Sequence, residues 1–156
     1  MVMQPKKVYT LFLLLSISTV ALIILAPYLA YKEYTYFSDH IYQYFSSFCH
    51  QRPERSFFLL GYPLAVCARC TFIFIGILAG MVLYPLWFGK GVHYKTVIIF
   101  SVPVLVDGFT QVLFRESTNA TRAATGFLLG IILPFYLMPK FIKALHDKNN
   151  YKDKIN

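Results

Sequence analysis

Charge is what this chain has least of. Only 14% of its 156 residues are Asp, Glu, Lys or Arg, and only seven of those are acidic. An ordinary soluble domain carries about 25% charge, so a typical soluble enzyme, a solvated coiled coil and a disordered chain are excluded. Cysteine is scarce as well: there are three, all between positions 49 and 70. The sequence has no long internal repeat and no low-complexity tract. What remains is apolar, with 57% hydrophobic residues and a mean hydropathy of +0.54.

The apolar residues gather into runs near the length of about 20 residues that carries a helix across a bilayer. Four are predicted, over 8–31, 66–89, 96–114 and 123–139, followed by a basic tail over 140–156. Lipid offers backbone groups no partner, so the runs read as helices. The expected fold class is all-α: one membrane domain, 1–156, built as a four-helix bundle. Lys6 and Lys7 would suit the start of a leader peptide. The run behind them is longer than the usual leader core of about 7–15 residues and no A-x-A site follows, so an uncleaved span is expected.

A net charge of +8 would point to nucleic acid in a soluble protein. Here no basic run interleaves with aromatics, so no nucleic-acid partner is expected and topology explains the charge. Nine Lys lie in the tails and the 90–95 loop: Lys6, Lys7, Lys90, Lys95, Lys140, Lys143, Lys148, Lys152 and Lys154. Six basic residues lie on the other side: Lys32, Arg52, Arg55, Arg69, Arg115 and Arg122. By the positive-inside rule this is a multi-pass protein of the cell membrane with both termini cytoplasmic. All five Arg fall on the outer side, and a planar guanidinium suits bidentate contact to carboxylate or phosphate.

Between the first two runs, Tyr34, Phe37, Ile41, Tyr44, Phe45 and Phe48 recur at helical spacing, with Thr35, Ser38, Asp39, Gln43 and Ser46 opposite. An amphipathic helix is predicted, lying on the membrane surface or on the protein's own rim. Residues 57–66 are too short to span, and Gly61 and Pro63 predict a turn or a shallow re-entrant segment.

Cys49 stands beside His50, and Cys67-Ala68-Arg69-Cys70 forms a C-x-x-C. Two thiolates at that spacing can share an ion. Cys49 and His50 would complete a Cys₃His set suited to zinc, with His50 the weaker member because adjacent ligands demand a sharp turn. Two other chemistries stay open: a redox disulfide at Cys67 and Cys70 with Cys49 resolving, and inert buried thiols. His40, His93 and His146 stand alone and read as surface groups.

Asp107 interrupts the third run, with Gln111 one turn further on and Gly108 beside it. An aspartate at membrane depth needs a donor, and Arg122, at the start of the fourth run, is the expected partner, directly or through Gln111 and Asn119. The residues Arg69, Asp107, Gln111 and Arg122 are the catalytic candidates. Arg52, Arg55, Ser117 and Asn119 are the candidate binding residues for an anionic lipid headgroup or small anion. A structural ion pair without chemistry stays open. Asn119-Ala120-Thr121 has the form of a glycosylation sequon. Gly76-x-x-x-Gly80 and Gly126-x-x-x-Gly130 are small-residue faces through which a homo-oligomer is expected to form.

The segments CHQRPERSFFLLG, PLAVCARCT, DGFTQ and ESTN-x-x-R-x-x-TG, in that order over about 48–130, resemble a family of small prokaryotic membrane proteins described only as a domain of unknown function. The resemblance implies that Cys49, His50, Gln51, Pro53, Arg55, Ser56, Cys67, Arg69, Cys70, Asp107, Gly108, Gln111, Ser117, Asn119, Arg122 and Gly126 are signature positions. Members usually read CARCTG, and here Phe72 follows Thr71. The family brings no activity. The expected function is therefore a membrane protein with an outer-face Cys/His zinc site beside an Arg- and Asp-lined anion pocket. The alternatives are a thiol-disulfide oxidoreductase, a metal-dependent hydrolase with Asp107 as base, and a small transporter.

Overall fold

The structure, a computed structural model, describes residues 5–86, 91–113 and 117–153. Lys90, Arg115, Glu116 and Lys154, and the expected run ends at 89 and 114, lie outside the described residues. The order of elements is α1 (Pro5–Tyr31), α2 (Thr35–Ser46), a 3-10 turn (Pro53–Arg55), a hairpin of β1 (Phe58–Leu59) and β2 (Tyr62–Pro63), α3 (Ala68–Leu83), α4 (Tyr94–Leu113) and α5 (Asn119–Asp153). The architecture is all-helical apart from the antiparallel hairpin, in which Phe58 pairs Pro63 and Leu59 pairs Tyr62. Its turn passes through Leu60 and Gly61, both at positive φ (54° and 87°). That is the turn expected within 57–66, made as a hairpin.

Among the described residues, two helices are long and apolar enough to cross a membrane: 6–31, at mean hydropathy 2.5, and 119–145, at 1.6. Only 11% of the first window is buried by protein, which is unlike the core helix of a soluble fold. Three boundaries differ from expectation. α3 has 16 residues, about 24 Å at 1.5 Å per residue, because the chain leaves the helix at Tyr84. α5 starts at Asn119 and not at 123. It also continues as helix through the expected tail to Asp153, where Lys-rich sequence favours helix once the preceding turns are formed.

Proline placement ties non-helical backbone to the helices. A helical proline has no N–H for the carbonyl four residues back. Pro27 thereby frees the Ile23 carbonyl, which accepts from the Ala65 N–H at 3.5 Å. Pro139 frees the Phe135 carbonyl, which accepts from the Val92 N–H at 3.2 Å. The first contact anchors the segment entering α3 on α1, where Ala65 and Val66 are fully buried beside Ile23, Ala26, Phe45 and Cys49. α2 lies on the same core. Ser38, expected on its polar face, is buried instead and donates to the Ala26 carbonyl at 2.9 Å. The opposite face exposes Tyr36, Phe37, Tyr44 and Phe48.

α3 and α5 approach backbone to backbone. A Cβ on Gly76 would lie 2.7 Å from the Phe127 carbonyl oxygen, and one on Gly130 only 2.2 Å from that of Ile73. The two small-residue faces expected to join copies of the chain are thus used against each other within it. Gly126 repeats the contact at the site end, where a Cβ would fall 2.5 Å from the Arg69 carbonyl oxygen.

The atoms opposing Gly130 are backbone, so Gly130→Ala must push the helices apart. We expect it to lose about 1–3 kcal/mol, read as a lower thermal midpoint in detergent. Gly108→Ala, whose Cβ meets only Arg69 Nη1 at 3.7 Å, should be neutral or slightly stabilising. Equal midpoints for the two variants would contradict the close approach.

Candidate functional site

The cysteine cluster is assembled from two chain segments. After α2 the Phe48 and Cys49 N–H groups both donate to the Phe45 carbonyl at 3.0 Å. The backbone reverses at Gln51, whose φ of 47° is in the left-handed region that side chains rarely adopt. The Gln51 side chain compensates: its Nε2 donates to the carbonyls of Tyr42 at 2.6 Å and Ala65 at 2.7 Å. One amide thus staples the segment carrying Cys49 to the segment entering Cys67. Cys67 caps the N-terminus of α3 and Cys70 follows in its first turn. The Cys67 backbone N–H donates to Cys49 Sγ at 3.2 Å.

All three Sγ atoms lie within 4.8 Å of one another, and all three cysteines are free thiols. Three cysteines are therefore positioned to hold a metal ion. Hydrogen bonds from the Cys67 and Cys70 side chains hold the Cys49 thiol far below its ordinary 9.0, at about 2, against burial, which raises it. His50 is not in the group. Cys49 turns into the core with Ile23 and Val66, and the residue after it is exposed. The expected Cys₃His set is reduced to three sulfurs, with His50 on the wall beside them.

A cavity of about 330 Å³ opens over the sulfurs. Phe48, Cys49, His50, Gln51, Cys67 and Cys70 line it together with Arg52, Arg55, Arg69, Arg122 and Gln111. Four guanidinium groups and no carboxylate face it among the described residues. Arg122 is 4% exposed. It donates to Asn119 Oδ1 at 2.8 Å. With its amide oxygen turned to the cations, Gln111 accepts from Arg122 Nη2 at 3.2 Å and from Arg55 Nη1 at 2.9 Å. The Asn119 amide in turn donates to the Ser56 carbonyl at 3.2 Å, so the sequon side chain is used within the fold.

Asp107 is 6% exposed and stands behind this wall. Arg69, on α3, donates to its Oδ2, and Arg122 reaches Gln111 and Asn119, the two residues through which its coupling to Asp107 was expected. Ser117 Oγ donates to its Oδ1 at 2.6 Å. Asp107, Ser117 and Asn119 do not line the cavity. Asp107 accepts from Arg69, Ser117 donates to Asp107, and Asn119 accepts from Arg122. Sequence reasoning gave Gln51 and Ser56 no role beyond the motif. The staple made by Gln51 depends on a positive φ that no residue type announces.

The Arg69–Asp107 pair generates a prediction. Removing one member strands a buried charge, typically at about 3–5 kcal/mol, whereas replacing both costs less. We expect Arg69→Leu and Asp107→Leu to be coupled by about 1 kcal/mol or more in a thermal-stability cycle in detergent. Strict additivity would dissolve the pair.

The chain was compared with known proteins. It is 40% identical over 154 residues to an uncharacterized protein of Methanocaldococcus jannaschii, covering 92% of this chain and 98% of the relative. It is 36% identical over 105 residues to an uncharacterized protein of Methanothermobacter thermautotrophicus, covering 65% of this chain and 92% of the relative. No solved structure matches. The family model described as "Predicted membrane protein (DUF2085)" matches residues 49–136, from the first cysteine of the cluster to the middle of α5. The cluster and the whole arginine wall fall within that match, and the chain belongs to this family.

Proposed function

We propose that the protein is a multi-pass membrane protein that holds a zinc ion on Cys49, Cys67 and Cys70. Cys49, Cys67 and Cys70 would hold the ion, and the cavity they share with the arginines would receive a phosphate-type anion. The observation that carries this reading is the sharing of one cavity by three convergent sulfurs and four guanidinium groups. Thiolates favour a soft or borderline ion, and zinc takes S₃ sets with a fourth, exchangeable ligand. The Cys67 N–H bonded to Cys49 Sγ is the kind of outer contact that orients a ligating thiolate.

The withdrawal of His50 favours a second reading. Three protein ligands with an open position are the arrangement of a catalytic zinc, which activates water, more than of a closed structural one. Hydrolysis of a bound phosphate ester is the corresponding reaction. Asp107, the base expected for it, accepts from Arg69 and Ser117.

For topology we propose four crossing helices, α1, α3, α4 and α5, with both termini cytoplasmic and the cavity at the opposite face. The nine-to-six distribution of Lys and Arg supports this. So does the meeting, at one level, of the start of α3 with the end of α4 at Arg69–Asp107, and with the first turns of α5 at Gly126.

Purified protein should contain about one zinc per chain, and Cys67→Ser or Cys70→Ser should lose it together with stability, since a ligand's binding energy is also folding energy. Absence of metal together with a Cys67–Cys70 disulfide would replace this reading with redox chemistry. A cysteine introduced at Lys148 should resist a membrane-impermeant thiol reagent in intact cells. Its modification would reverse the topology.

A further inference from the structure

We infer that the anion is the headgroup of a membrane lipid, whose chain lies in a groove along α4. This rests on the anion-binding reading of the arginine cavity and names its ligand class. A second cavity, of about 480 Å³, is lined by Arg69, Val104, Leu105, Gly108, Phe109 and Leu113. Five of these six residues offer only apolar surface, and the sixth is a guanidinium. Arg69 is the wall common to this groove and the cavity over the sulfurs. An apolar groove along α4 thus meets, beside Gly108, a cation that also faces the arginine cavity.

Local geometry keeps that junction open. Gly108 has no side chain, and the atom nearest to where its Cβ would stand is Arg69 Nη1, at 3.7 Å. Leu105 and Phe109, at 67% and 66% exposed, turn outward with Ile98, Ile99, Val102 and Val106 on the uncovered face of α4. A free ion would use only the arginine cavity and has no need of the groove. A lipid with a phosphate head uses both, with charge at one end and hydrocarbon along the other. At the far end of the protein, an apolar cavity of about 330 Å³ is lined, among the described residues, by Leu83, Leu86, Val92, Phe100, Ile131, Ile132 and Phe135, none of them charged. The groove at Arg69 adjoins four guanidinium groups, and the charge of that arginine cavity commits the head of its occupant to an anionic group.

The test is thermal stabilisation of the purified full chain in a non-ionic detergent. The probes are phosphatidylglycerol, zwitterionic phosphatidylcholine, glycerol 3-phosphate and inorganic phosphate. We expect phosphatidylglycerol to raise the midpoint saturably, at a concentration at least about tenfold below that needed for either soluble phosphate. Phosphatidylcholine should give no saturable shift. Gly108→Leu, which fills the groove at an open position, should abolish the advantage of the lipid and keep the response to soluble phosphate. Arg52→Gln, at an exposed member of the wall, should weaken both responses. Equal potency of lipid and soluble phosphate, equal shifts with the two lipids, or an unchanged lipid response in Gly108→Leu would each overturn the lipid assignment and leave the anion pocket standing. No saturable response to any anion would overturn both.

Discussion

The contact of α3 with α5 through paired glycines is the constraint on which the site depends. Two helices whose carbonyls lie where side chains would be cannot slide or rotate without opening a gap. Gly130 fixes their separation at Ile73, and Gly126 repeats it directly beneath Arg69. Arg69 and Arg122, on two different helices, are thereby held at one level as neighbours in one cavity wall. Bringing like charges together is unfavourable in a low-dielectric setting, and a rigid frame is what prevents their separation.

The frame is completed by acceptors placed behind the cations. Asp107 takes Arg69, Gln111 takes Arg122 and Arg55, and Asn119 joins Arg122 to the Ser56 carbonyl. These acceptors come from α4 and the first residue of α5. The segment before the hairpin is thus bound to both helices through the same network. One carboxylate against several guanidinium groups leaves the cavity short of negative charge. In the proposed reading an anion would supply it, and an ion held by three thiolates, with net negative charge of its own, would also suit such surroundings.

Much of this was legible in the residues. The runs of apolar sequence marked the helices. Clustering of three cysteines marked the group positioned to hold a metal. Four of the five arginines that stood out share one cavity, and Asp107 had to find a cation. What sequence could not reveal was tertiary choice. Arg69 lies 38 residues from Asp107, and no spacing in the sequence announces that its guanidinium reaches that carboxylate. The small-residue faces read equally well as contacts between chains or within one, and the fold uses them within. His50 looked like a ligand by adjacency. The burial of Cys49 leaves its neighbour on the outside. The prolines carried no visible meaning until Ala65 and Val92 were seen to use the carbonyls they free.

The central claim is a metal held by three sulfurs in the cavity they share with the arginines. X-ray absorption at the zinc edge of the purified protein tests it most directly. The account predicts three sulfurs at about 2.3 Å and one oxygen or nitrogen at about 2.0 Å, with the light atom exchanging when phosphate is added. A shell of oxygen and nitrogen alone, or a protein in which Cys67 and Cys70 are oxidised and no zinc is bound, would contradict it.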